Sequence, residues 1–118
     1  MKKIMASVAI VVFLAFPPKD KLTGRWQTHP SPKGNVTGIV FKEDNSFEGY
    51  VNRKPFTSGK YTLQDSIFTF TDTGCEGKPG TYKLLFFSNG DSLRFQTISD
   101  SCLERENGMT HIVVGRVK

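Results

Sequence analysis

Short runs in which apolar and polar residues alternate strictly, each ended by a turn signal, occupy nearly the whole chain after residue 20. A period of two sends successive side chains to opposite faces of an extended strand, whereas a helix needs apolar residues three and four apart. In Ser66–Asp72, Phe68 and Phe70 share one face against Ile67, Thr69 and Thr71. In Ser92–Ser99, Leu93, Phe95 and Thr97 oppose Arg94, Gln96 and Ile98, and in Phe56–Leu63 the residues Gly59, Tyr61 and Leu63 point together. No window after residue 20 predicts an amphipathic helix of normal length.

The runs predict strands over Leu22–His29, Val36–Lys42, Ser46–Asn52, Phe56–Gln64, Ser66–Asp72, Thr81–Ser88, Ser92–Ser99 and Met109–Val117. Turn formers such as Glu43–Ser46, Gln64–Ser66 and Asn89–Asp91 separate them. Links this short favour pairing of each strand with the next. Eight such strands predict an all-β fold, an antiparallel up-and-down barrel that closes on itself and removes exposed edges. A sandwich or half-open barrel is the alternative.

Met1-Lys2-Lys3 opens the chain, Ile4–Phe16 is uncharged and mostly apolar, and Pro17-Pro18-Lys19-Asp20 breaks the run. This order of basic, apolar and polar segments predicts a secretory signal peptide over residues 1–18, with one domain over residues 19–118. A run of this length would span about 20 Å as a helix, short of the roughly 30 Å hydrocarbon core, so no stable membrane anchor is expected after processing. The expected location is secreted or periplasmic.

Export bears on the only two cysteines, Cys75 and Cys102. In an up-and-down barrel alternate loops emerge at the same end, which puts both cysteines on one rim. An oxidising compartment permits a disulfide between them, and the 28-residue loop it closes is worth about 3 kcal/mol on the chain-entropy model. Two reduced thiols, or a metal held by the pair, are the rival readings.

The formal charge of +5 falls to +3 without Lys2 and Lys3, and the remaining charges are dispersed. Nucleic-acid binders cluster Lys and Arg on one face, so no nucleic-acid partner is expected. His29 and His111 fall on predicted strands with no nucleophile or carboxylate at a diagnostic spacing, and Asp72 and Asp100 are expected to order turns. No enzyme activity, cofactor or metal is expected, and the protein is expected to be a monomer.

Gly24-Arg25-Trp26 resembles the Gly-x-Trp signature of lipocalins and other calycins. The rest of the chain resembles small bacterial lipocalin-like secreted domains through Gly59-Lys-Tyr61, Phe70-Thr-Asp72, Cys75, Gly80-Thr-Tyr82 and Asp100-Ser-Cys102-Leu-Glu-Arg105. The resemblance implies a barrel that binds a small apolar molecule inside or at its disulfide-tied rim. It also implies that Arg116 stacks on Trp26, and that Arg105 pairs with Asp100 or Asp72. The chain is much shorter than typical lipocalins and lacks, in its sequence pattern, their long helix before the last strand. Both departures argue against a large cavity.

Candidate lining residues are Trp26, Phe41, Tyr61, Phe68, Phe70, Tyr82 and Phe95, with Phe47 and Phe86 also available. The alternative is that these rings fill a solid barrel that acts through its surface as a protein-interaction or inhibitor-like module. Phe86 and Phe87 are adjacent, so one must face outward, and Leu85 beside Phe87 would add to a partner-binding patch.

Overall fold

The computed structural model describes residues 19–118. The expected signal peptide over residues 1–18, and with it the question of membrane anchoring, lies outside the described residues. A short helix α1 (Lys19–Leu22) precedes eight strands: β1 (Gly24–Gln27), β2 (Thr37–Phe41), β3 (Ser46–Val51), β4 (Lys54–Gln64), β5 (Ile67–Asp72), β6 (Gly80–Phe87), β7 (Ser92–Asp100) and β8 (Val113–Arg116). Each strand pairs antiparallel with the next. The register Trp26↔Arg116 and Gln27↔Gly115 then joins β1 to β8 and closes the barrel.

The alternation in the sequence becomes an inside and an outside. Phe41 faces Phe47 across β2 and β3, Tyr61 faces Phe70, Leu84 faces Phe95 and Leu93 faces Val114, all buried. Aromatic edges meet faces in this interior: Phe41 stands at 87° to Tyr61 and 88° to Phe68, with centroids 5.6 and 5.7 Å apart. Such T-shaped pairs let the positive ring edge meet the negative face. Of the adjacent pair, Phe86 turns inward onto Trp26 and Phe87 turns outward.

Two expectations are corrected. A helix of 9 residues, α2 (Leu103–His111), stands before the last strand, so β8 begins at Val113 rather than Met109. The helix has no buried residue and therefore shows no apolar stripe for a period-based reading to detect. Its signal is electrostatic, with Glu104 and Glu106 in the first turn and His111 in the last, matching the helix dipole. Leu22 belongs to α1 rather than β1, because the chain bends at Gly24, whose φ of +130° suits glycine.

One barrel end is closed by the segment entering β1. Leu22 is fully buried there, and the Trp26 indole N–H donates to its carbonyl at 2.8 Å. Arg116 lies 4.4 Å over the Trp26 ring and donates to the carbonyls of Thr23 and Lys21. The loops β1–β2, β3–β4, β5–β6 and the α2 segment emerge at the opposite end.

Candidate functional site

That opposite end is open. A cavity of about 1150 Å³ runs from the rim into the barrel. Its inner wall is apolar: Ile39, Phe41, Phe47, Phe68, Phe70 and Phe95, with Met109 and Ile112 contributed from α2 and the residue after it. Its mouth is polar, edged by Thr28, His29, Asn35, Thr57, Asp72, Glu104, Arg105 and His111. The expectation against a large cavity is thereby corrected. The closed end is filled with rings, but the inward positions nearer the mouth carry Thr37, Val51 and Thr57, whose side chains are too small to fill the bore.

Of the seven candidate lining residues, Phe41, Phe68, Phe70 and Phe95 face the cavity. Trp26, Tyr61 and Tyr82 are also buried, but they pack in the wall and the closed end: Tyr61 donates to the Lys42 carbonyl at 3.2 Å, and Tyr82 donates to Asp100. Both histidines lie at the mouth rather than on strands. His29 follows β1, and His111 ends α2 with its Nδ1 at 2.7 Å from the Asn107 carbonyl. Ile39, Met109 and Ile112 escaped the sequence reading. Ile39 lies on the inward alternation of β2, whereas the other two depend on the undetected helix.

Cys75 and Cys102 form a disulfide that ties the β5–β6 loop to the start of α2. Cys75, Glu76 and Gly77 all have positive φ, at 58°, 55° and 76°. Two consecutive non-glycine residues in this region are sterically costly and persist where surrounding structure holds them. The cross-link at Cys75 supplies such a hold.

Beside the disulfide, Arg105 joins two carboxylates. Its Nε donates to Asp100 Oδ2 at 2.8 Å and its Nη2 to Asp100 Oδ1 at 2.9 Å, while Nη1 reaches Asp72 Oδ1 at 3.2 Å. Nη2 also donates to the Lys78 carbonyl at 2.9 Å, and the guanidinium lies 4.9 Å over the Phe70 ring. The Asp100 side chain is 0% exposed and that of Arg105 7%. Burial alone would raise the Asp100 carboxyl, but Arg105, the Tyr82 hydroxyl and the Cys102 backbone N–H together hold it down to about 2. Burial, and after it the hydrogen bond to the same carboxylate, pushes the Tyr82 phenol well above its ordinary value.

A bulge builds this cluster. The register passes from Thr81↔Ser99 to Tyr82↔Thr97, leaving Ile98 as the extra residue. That insertion reverses the alternation, so Asp100 turns inward where strict period two would turn it out. Gly80 makes room for it. A Cβ there would meet Asp100 Oδ2 at 2.8 Å and Arg105 Nη2 at 3.0 Å.

Comparison of the chain with protein-family models and with curated protein sequences finds no match. The eight-stranded closed antiparallel barrel is compatible with a lipocalin-like fold.

Proposed function

We infer that this protein is an exported, lipocalin-like binding protein that carries a small apolar ligand in its barrel and admits it past the disulfide-tied rim. The observation that carries this reading is the aromatic-floored cavity of about 1150 Å³ opening at the rim that carries the disulfide and α2. Ligand sites are commonly concave and mostly apolar, with a few polar groups at fixed positions. The disulfide is in keeping with an oxidising compartment, and hence with export.

Native mass spectrometry of freshly purified protein tests the reading. A co-purifying small molecule supports it. Bare protein that also fails to bind apolar fluorescent probes favours the surface-interaction module instead. That second reading draws on exposed Phe87, Ile98 and Val113, but Arg94 sits between Leu85 and Val113 on the outer face and interrupts an apolar patch.

A further inference from the structure

We propose that the cavity selects amphiphiles with a protonated amine head, and that Asp72 is the anchor. The inference rests on the cavity-binding reading and adds the chemical class of its ligand.

Arg105 is the natural suspect for binding a carboxylate, yet four of its five N–H donors are already engaged. The paired bonds to Asp100 occupy Nε and Nη2, Lys78 takes a further Nη2 bond, and Nη1 faces Asp72. Asp100 is equally saturated, accepting from Arg105, Tyr82 and the Cys102 N–H. The pair is self-neutralising and withdrawn from solvent.

Asp72 is left with the uncompensated charge. Its Oδ1 accepts from Arg105 and from the Gly74 N–H, both at 3.2 Å, while Oδ2 has a single long contact at 3.4 Å to the Thr57 hydroxyl. Asp72 and Thr57 both line the cavity, and Glu104 adds another carboxylate at the mouth. One guanidinium therefore stands against three carboxylates, Asp72, Asp100 and Glu104. A carboxylate ligand would meet like charge, whereas an ammonium would find a partly desolvated acceptor above an apolar well, where charge-assisted hydrogen bonds are strong.

The test uses oxidised full-length domain and the neutral probe N-phenyl-1-naphthylamine, displaced in turn by dodecylamine, dodecanol and dodecanoate. It is run at about pH 8, above the ordinary histidine range. The expected result is displacement by all three, with the amine about tenfold tighter than the carboxylate, the scale of one charged hydrogen bond. In Asp72→Asn, checked for folding by circular dichroism, amine and alcohol should become equivalent. An amine no tighter than the alcohol in the unmutated protein, or a preference unchanged in Asp72→Asn, overturns the amine assignment alone. Failure of the probe to bind overturns the cavity reading, and this inference with it.

Discussion

Arg105 grips Asp100 through two parallel hydrogen bonds, Nε to Oδ2 and Nη2 to Oδ1, at a point where the carboxylate has no contact with solvent. The pair sits where the β7 bulge, the first turn of α2 and Gly80 converge. It organises the rim on which the disulfide lies, and so shapes the mouth of the cavity.

Removing the guanidinium should cost more than a surface ion pair would, because Asp100 would keep its charge without its partner. Arg105→Ala is expected to lower unfolding stability by about 3 kcal/mol, measured by urea denaturation. Arg105→Lys should recover only part of this, since an ammonium cannot reproduce the planar fork. Unchanged stability in Arg105→Ala would remove the structural role.

The same carboxylate predicts an acid limb. Its folded pKa, about 2, lies below the ordinary aspartate value. Its contribution is therefore present above about pH 4 and is lost as pH falls toward 2, in all about 2 kcal/mol. Stability measured across that window should fall less steeply in Asp100→Asn than in the unmutated protein.

The disulfide closes a long loop, its cysteines being 27 positions apart. Replacing both by serine should cost about 3 kcal/mol and lower the melting temperature. Thiol titration of unreduced protein should find both cysteines blocked.

The closed end should be energetically separate from the mouth. Arg116→Ala removes the contact with Trp26 and the bonds to the Thr23 and Lys21 carbonyls. A loss of about 2 kcal/mol is expected, with affinity for an apolar probe unchanged. A comparable loss of affinity would show that the two ends are coupled.

Much of the barrel was legible because strict alternation is a backbone property. Phe68 and Phe70 share a face wherever the strand lies, and the short turns leave neighbouring strands little choice of partner. The two cysteines could be assigned to one rim by counting loops. The helix Leu103–His111 was not legible, because it carries no apolar stripe and has Asn107 and Gly108 within it. The bulge at Ile98 was hidden as well. It depends on the match between β6 and β7, and without it Asp100 reads as facing outward. Chain length and the missing helix pattern argued against a large cavity, whereas the deciding feature is the small side chains of Thr37, Val51 and Thr57 near the mouth.

Whether an apolar ligand is held inside the barrel is decided by titrating oxidised protein with N-phenyl-1-naphthylamine while exciting Trp26. That residue is the only tryptophan and lies beneath the cavity at the closed end. Saturable energy transfer from Trp26 to the probe is expected, with one probe bound per chain. Probe emission that rises without saturation, or that leaves Trp26 fluorescence untouched, would contradict it.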